Sequence, residues 1–226
     1  MEKFNIAIDG PAGAGKSTIA RLVAGSLGFV YVDTGAMYRA VTWKILQENL
    51  PAESTADMIA LTSRTEIRLV PGENGQTVYA DGLDVTGMIR SAEVTGNVSR
   101  IASIAEIRTI LTAKQKEMAA DKGVVMDGRD IGSHVLPDAE VKIFLTASVR
   151  IRAERRYKEI CDTQTEMTLE QLELDIARRD RMDEQREASP LVKAADAVLM
   201  DTTDMTIPEV VERILELCQS RVGGGK

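Results

Sequence analysis

The segment with the clearest chemical signature lies near the start of the chain. Residues 4–18 read FNIAIDGPAGAGKST, in which an apolar run ends at Asp9 and residues 10–17 fit the pattern GxxxxGK[ST]. In such a loop, glycines let consecutive backbone N–H groups turn toward a phosphate, Lys16 can reach the terminal phosphates, and the hydroxyl of Ser17 can bind Mg²⁺. The alternative is a Gly-rich turn between any strand and any helix. The complete motif, with apolar strand and helix patterns on either side, favours a site for a nucleoside triphosphate.

Arginine is the second notable residue type, because 8 of the chain's 18 arginines lie between residues 150 and 186. The same stretch holds 10 acidic residues, so two solvated helices laced with salt bridges would explain most of these charges. The spacing of Arg152, Arg155 and Arg156 nevertheless places three guanidinium groups on one helical face, where they could converge on phosphate oxygens. A second stripe, at i, i+4 and i+7, consists of Arg179, Asp183 and Arg186. For that stripe, spacing alone leaves the structural and the functional interpretations open.

A short apolar strand, residues 124–126, runs into the charged loop Asp127-Gly128-Arg129-Asp130. In an open parallel sheet, ligands bind beyond the carboxyl ends of the strands, so this loop is placed to meet a nucleotide. Asp33 follows the strand at 29–32 and is subject to the same reasoning. A plain turn with capping carboxylates is the alternative at both places.

The elements that must position these residues alternate between strands and helices. Short apolar strands are predicted at 4–9, 29–32, 124–126, 141–145 and 198–200, with amphipathic helices between and after them. A β-hairpin is predicted over 66–80 with its turn at 71–75, followed by helices at about 91–103 and 105–121. The pattern predicts a five-stranded parallel sheet covered on both faces. Residues 223–226 read as a frayed or appended tail.

Composition narrows the possible functions. A length of 226 residues fits one domain with insertions, and a net charge of −7 argues against a general nucleic-acid or membrane-surface binder. No apolar run approaches about 18 residues, and the first strand leaves no room for a signal peptide. Cys161 and Cys218 lack metal-ligand spacing and fit a reducing cytoplasm. His134 is the only histidine, so catalysis would rest on Arg, Lys, Asp and a metal ion.

Several classes of phosphate-loop protein compete. The chain lacks the guanine-reading and switch segments of a GTPase, and it lacks the extended strand ending in acids that is typical of motor ATPases. A nucleotide sensor would not need the arginine-rich helices. Phosphoryl transfer asks a protein mainly for positioning and charge neutralisation, so a small-molecule kinase is favoured.

Three motifs in combination resemble bacterial cytidylate kinases: DTGAMYR at 33–39, DGRDIG at 127–132, and RDxxDxxR at 179–186 followed by SPL at 189–191. The resemblance covers about residues 3–220. It implies a three-layer α/β phosphate-loop fold in a single kinase domain, with a core at 1–35 and 100–222. It further implies an inserted monophosphate-binding lobe at about 36–99 that carries the hairpin, and a short Arg-rich lid at about 150–166.

The resemblance also implies the reaction and the site. ATP and CMP or dCMP would give ADP and CDP or dCDP with Mg²⁺, in a cytoplasmic protein expected to be a monomer. The ATP phosphates would be held by Gly10, Pro11, Ala12, Gly13, Ala14, Gly15, Lys16, Ser17 and Thr18, with Ser17 on Mg²⁺. The expected CMP-binding residues are Thr34, Arg39, Ser99, Arg108, Arg129, Asp130, Arg179, Asp183 and Arg186. The expected catalytic residues are Lys16, Arg129, Arg152 and Arg156.

The chemistry of the base supports one of these assignments independently. Cytosine presents an amino donor at N4 and acceptors at N3 and O2, whereas uracil presents an acceptor at O4 and a donor at N3. An ionised Asp130 can accept from N4, and Arg108 can donate to N3 or O2. Against uracil both groups would be mispaired, and buried mispaired groups reject a near-isostere strongly. The preference between CMP and dCMP is left open.

Overall fold

The computed structural model describes residues 2–72, 75–160 and 167–222. The middle of the predicted hairpin turn, Cys161, the last part of the predicted lid and the Gly-rich tail lie outside these ranges. The strands are β1 (Asn5–Asp9), β2 (Val30–Asp33), β3 (Ile67–Gly72), β4 (Gly75–Ala80), β5 (Leu83–Asp84), β6 (Val124–Gly128), β7 (Val141–Thr146) and β8 (Val198–Asp201). The α-helices are α1 (Lys16–Leu27), α2 (Thr34–Gln47), α3 (Thr55–Arg64), α4 (Ala92–Ile101), α5 (Ala105–Met118), α6 (Val149–Ile160), α7 (Leu169–Gln185) and α8 (Ile207–Val222).

The predicted five-stranded sheet is confirmed, with the order β2-β6-β1-β7-β8 and every pairing parallel. Strand β1 lies at its centre and all five of its residues are buried. This is why its three middle residues, Ile6, Ala7 and Ile8, are all apolar instead of alternating with polar ones. Because all strands run the same way, their carboxyl ends, including Asp9, Asp33 and Gly128, meet at one edge.

Helices cover both faces of this sheet, as predicted. On one face Ile6 and Ile8 of β1 pack with Ile19 of α1 and Ile214 of α8. On the other face Ala7 of β1 belongs to a cluster that includes Val32, Met126 and Ile131. No helix within the described ranges is long and apolar enough to cross a membrane.

Buried residues between positions 36 and 111 form a further hydrophobic cluster, which contains Met37 of α2, Met58 of α3, Val78 of β4 and Leu111 of α5. The predicted hairpin is present as β3 and β4, and β5 extends it to a three-stranded antiparallel sheet. Helix α3 and strand β5 were not predicted. Only Met58, Leu61 and Thr62 of α3 are buried, so its apolar stripe is too short to stand out in the sequence.

The side chain of Gln76 connects the hairpin to the main sheet. Its Nε2 donates to the carbonyl oxygen of Tyr31 at 2.7 Å, and its Oε1 accepts from the backbone N–H of Asp33 at 3.2 Å. Strand β2 is an edge strand, so among the described residues no neighbouring strand lies on that side of these two backbone groups. The amide of Gln76 therefore pairs with β2 as one residue of an added strand would, and it covers the sheet edge.

We expect Gln76→Leu to lower the free energy of unfolding by about 1–3 kcal/mol, because it leaves the Tyr31 carbonyl and the Asp33 N–H without a protein partner. Urea denaturation followed by circular dichroism measures the change. The matched control is Thr77→Val, whose side chain points to the opposite face of β4. Equal stabilities of the two variants would show that Gln76 does not anchor the hairpin.

Candidate active site

A cleft of about 950 Å³ opens at the carboxyl ends of the parallel strands. All nine residues predicted to bind CMP line it, as do residues 12–18 of the phosphate loop and Arg156. Gly10 and Pro11 lie at the start of the loop and are not part of the lining. The structure therefore brings together two sets of residues that are far apart in the sequence.

The phosphate loop depends on the absence of a side chain at Gly10. Its φ is +148°, and a Cβ there would lie 2.0 Å from the carbonyl oxygen of Leu145 on β7. Gly13 and Gly15, with φ of +75° and +80°, occupy the left-handed region that favours glycine. Helix α1 begins directly after Gly15, so its N-terminus, which attracts anions, faces the loop.

Lys16 is buried within the loop and its Nζ donates to the carbonyl oxygen of Pro11 at 2.8 Å. Burial, together with the nearby charge of Arg129, lowers the pKa of Lys16. A buried cation of this kind gains most when an anion enters beside it, since the charge is then paired. Lys16 is thus placed to stabilise a phosphate group.

Ser17 and Tyr31 both donate to the carboxylate of Asp127, at 3.0 Å to Oδ2 and 2.9 Å to Oδ1 respectively. Burial, followed by the charge of Asp33, raises the pKa of Asp127. A hydroxyl and a carboxylate side by side are the oxygen ligands that Mg²⁺ prefers. The described residues include no group of three or more His, Cys, Asp or Glu side chains that could hold a metal alone. The donor set therefore fits an ion that takes its other ligands from phosphates and water.

At the far end of the cleft, Asp130 lies between two arginines. Arg108 Nη2 donates to its Oδ2 at 2.5 Å, and Arg186 Nη2 lies 3.6 Å from its Oδ1. The guanidinium of Arg108 also stacks over the ring of Tyr38, 5.4 Å from the centroid. Within the described part of the chain, Arg108 Nε and Arg186 Nη2 are buried without a hydrogen-bond partner. These donors and the carboxylate form a polar surface that is complete only when a ligand pairs with it.

Between the two ends lies a group of positive charges, the arginine band, which consists of Arg39, Arg129, Arg179 and Arg186. Arg129 Nε donates to Asp183 Oδ2 at 2.8 Å, and Arg39 donates to the carbonyl of Ile89 and the hydroxyl of Thr95. Burial opposes ionisation of Asp183, but the guanidinium of Arg129 holds its pKa below the usual range. Burial and the charge of Arg179 lower the pKa of Arg39. Such crowding of cations favours an anionic ligand.

Thr34 and Ser99 complete the predicted set, and both line the cleft. The Thr34 hydroxyl donates to the backbone carbonyl of Asp127 at 2.7 Å, which joins the start of α2 to the end of β6. Asp33 caps α2, since its side chain accepts from Ala36 N at 2.9 Å. Ser99 lies half-buried on α4.

The structure does not bring Arg152 into the cleft, although its spacing with Arg155 and Arg156 predicted a shared face toward phosphate. Arg152 is buried behind the phosphate loop, where it donates to the carbonyls of Ala147 and Ala12 at 2.9 and 2.8 Å. It also pairs with Asp180 at 2.7 Å, and Asp180 in turn accepts from Ala12 N. The physical reason is a partner on another helix, α7, which helical spacing within α6 cannot reveal.

Arg155 and Arg156 do line the cleft, and Arg155 lies at the end of β8. Arg155 donates to the carbonyl oxygen of Thr202 at 2.6 Å, and Arg156 pairs with Glu159 at 2.9 Å. This end of the cleft was not predicted as a binding surface. Its further lining residues are Thr202, Met205, Thr206, Ile207 and Val210. Their only sequence signal is their position after the last parallel strand.

Solved structures share the fold. An uncharacterized protein from Eubacterium ventriosum aligns with a TM-score of 0.54 at 11% identity, and the alignment covers 97% of this chain and 100% of that protein. A shikimate kinase from Acinetobacter baumannii, solved with shikimate, aligns with a TM-score of 0.51 at 16% identity, covering 99% of this chain and 96% of its own. At these identities the likeness shows the fold alone.

Sequence comparisons identify the family as well as the fold. The family model described as cytidylate kinase matches residues 6–220. A cytidylate kinase from Shouchella clausii is 52% identical over 95% of this chain and 95% of its own length. Those from Lysinibacillus sphaericus and Bacillus subtilis are each 48% identical, over 98% and 97% of this chain and 99% and 98% of their own lengths. Together with the geometry of the cleft, these matches show that the chain belongs to the cytidylate kinase family of ATP-dependent nucleoside monophosphate kinases.

Proposed function

We propose that the cleft holds ATP at the phosphate loop and CMP or dCMP at the Arg108–Asp130 end, with their phosphates facing each other. The γ-phosphoryl group of ATP is transferred to the acceptor phosphate, and the products are ADP and CDP or dCDP. The observation that carries this assignment is the buried pair of Arg108 and Asp130 on the cleft wall, across the arginine band from Lys16.

The pair reads cytosine through complementary hydrogen bonds. The carboxylate of Asp130 accepts from the N4 amino group, and Arg108 donates to N3 or O2. Its Nε atom, which has no hydrogen-bond partner among the described residues, is an available donor. Uracil would set its O4 against a carboxylate and its N3–H against a guanidinium, and the unpaired groups would disfavour its binding. Ser99 lines the same end of the cleft and contributes to the base pocket.

The arginine band binds the rest of the acceptor. Arg39, Arg129 and Arg186 hold its phosphate, because planar guanidinium groups match phosphate oxygens in geometry and charge. Arg179 and Asp183 meet the sugar. Asp183 lies within reach of both Arg129 and Arg186, so its carboxylate helps to hold these two guanidinium groups in position for the phosphate.

At the donor end, residues 10–18 hold the phosphates of ATP through backbone N–H groups, Lys16 and Ser17. Ser17 and Asp127 are the residues that would hold Mg²⁺, directly or through water, and the ion would neutralise charge on the ATP phosphates. The adenine lies against the start of α8, between Arg155 and Ile207, where the cleft offers apolar surface beside polar backbone groups.

Transfer needs little acid–base chemistry from the protein. The acceptor oxygen is already anionic, so it forms the new bond to the γ-phosphorus while the bond to the β-γ bridging oxygen breaks and ADP leaves. Lys16, Arg129 and Arg156 stabilise the charge that spreads over the transferring group. Arg152 acts by position: with Asp180, it holds both backbone groups of Ala12 and so fixes the phosphate loop.

The predicted lid at about 150–166 stays a proposal, as do the boundaries of the monophosphate-binding lobe. Closure over both nucleotides would exclude water, which would otherwise take the phosphoryl group. The base of α6 is pinned to the phosphate loop through Arg152, whereas Arg156 lies one turn further along and lines the cleft. A monomeric state and a cytoplasmic location remain predictions of the sequence.

We expect Arg156→Ala to lower kcat by about 10²-fold, because it removes one donor aimed at the transferring group. The KM for CMP should stay within about twofold, since Arg156 does not contact the acceptor base. A coupled ADP-release assay gives both constants. Arg150→Ala is the matched control: Arg150 lies on the same helix, pairs with Glu154 and Glu173, and does not line the cleft. Similar kcat values for the two variants would contradict a role of Arg156 in transfer.

Asp130→Asn tests whether Asp130 is the base reader, the residue that recognises the N4 amino group of cytosine. The new amide can donate to uracil O4, so we expect CMP efficiency to fall and the ratio of CMP to UMP efficiency to shrink by about 1–3 kcal/mol of discrimination. The same assay with CMP, dCMP, UMP, AMP and GMP measures it. The KM for ATP serves as the internal control, because the donor site lies at the other end of the cleft. An equal fall for CMP and UMP would move the base reader from Asp130 to Ser99.

A further inference from the structure

Asp9 ends the central strand β1 and is only 4% exposed, yet it is neither a phosphate-loop residue nor part of the cleft lining. Both of its carboxylate oxygens accept backbone hydrogen bonds. Oδ1 accepts from Ile131 N and Oδ2 from Gly132 N, each at 2.7 Å. These two N–H groups belong to the π-helical turn Ile131–Val135, which follows Asp130 directly.

This arrangement connects the two halves of the site. Along one chain segment, Asp9 is followed by Gly10, the first residue of the phosphate loop. Along the other, Ile131 is preceded by Asp130, whose carbonyl accepts from His134 N at 2.9 Å and so belongs to the same turn. One buried carboxylate thus ties the segment that binds the donor phosphates to the segment that carries the base reader.

We propose that Asp9 is a positioning residue that sets the distance between the phosphate loop and the base-reading turn. The inference rests on the proposed role of Asp130. Hydrogen bonds to an ionised carboxylate are stronger than neutral ones, and two of them in parallel restrict both the position and the rotation of the turn. Asp130 therefore faces the cytosine edge at a fixed distance from the donor phosphates.

Gly132 lies close against both the carboxylate and the side chain of Lys142 on β7. A Cβ on Gly132 would lie 3.3 Å from Asp9 Oδ2 and 3.2 Å from the Cδ of Lys142. A side chain at position 132 would therefore crowd the contact. Gly132 is the last residue of the DGRDIG segment, and the base-reading role of Asp130 does not explain it.

The charges that act on Asp9 are those of Asp130 from the turn and Lys16 from the phosphate loop; the ammonium of Lys142, on the neighbouring strand β7, donates to Asp196 instead. Burial raises the pKa of Asp9 to about 6, although the two backbone hydrogen bonds oppose this. A proton on the carboxyl would turn one acceptor oxygen into a donor that faces an N–H group. The tie, meaning the two hydrogen bonds from Ile131 N and Gly132 N to Asp9, is thus intact above this pKa and weakens as the pH falls through it.

The contact can be observed without any substitution. In the unliganded wild-type protein, the amide ¹H shifts of Ile131 and Gly132 should titrate together with a midpoint near the Asp9 pKa of about 6. Asp9→Asn should abolish that inflection. If neither amide shift titrates at any pH at which the wild-type protein stays folded, the proposed tie is overturned, and this holds even if the variant fails to fold.

Kinetics tests the consequence. We expect Asp9→Asn to raise the KM for CMP about tenfold or more, the effect of losing a hydrogen bond to a charged group, while the KM for ATP changes by less than about twofold. The matched control is Glu140→Gln, which alters a carboxylate that accepts from Asn5 N at the opposite end of β1. Equal increases in both KM values, or an unchanged KM for CMP, would overturn the positioning role.

The experiments distinguish failure of the base-reading role of Asp130 from failure of the positioning role of Asp9. If Asp130→Asn leaves the ratio of CMP to UMP efficiency unchanged while both amides titrate with Asp9, the base reader is wrong and the tie stands. If the ratio shrinks but the amides do not titrate, Asp130 reads the base and Asp9 does not position it.

Discussion

The site depends on one close contact, the passage of the chain at Gly10 across the carbonyl oxygen of Leu145. A Cβ would lie 2.0 Å from that oxygen, so only glycine allows the chain to turn from β1 into the phosphate loop. The turn at Gly10 determines where the rest of the phosphate loop lies. Lys16 starts α1 beneath the loop, and Ala12 meets the buried pair of Arg152 and Asp180. Because β1 is the central strand, the loop is placed relative to every other strand end.

The second constraint is electrostatic. The cleft gathers arginines and carboxylates whose burial would be costly if they were unpaired, and within the cleft they pair with each other. Asp130 satisfies Arg108, and Asp183 satisfies Arg129. The phosphate of a nucleotide offers Arg129 an anionic partner in place of Asp183, whereas Arg108 and Asp130 stay paired and both face the base. The internal ion pairs therefore hold the arginines in position for the nucleotide.

Local patterns were sufficient to predict the five-stranded sheet, the hairpin and the position of the phosphate loop, because each is specified by residues close together in the chain. The gathering of Arg39, Arg108 and Arg186 around one cleft followed only from the family resemblance. What escaped prediction involves partners distant in sequence. Arg152 turns away from the cleft because Asp180 lies on α7, and Gln76 pairs with β2 because that strand is an edge. The roles of the site residues stay predictions.

The most direct measurement is a crystal structure of the protein with CMP and a non-hydrolysable ATP analogue. It should place the cytosine N4 amino group within hydrogen-bond distance of Asp130 and the acceptor phosphate among Arg39, Arg129 and Arg186. The γ-phosphate should lie beside Lys16, in line with an acceptor oxygen. A cytosine bound without contact to Asp130, or a CMP phosphate directed away from Lys16, would contradict this account of the cleft.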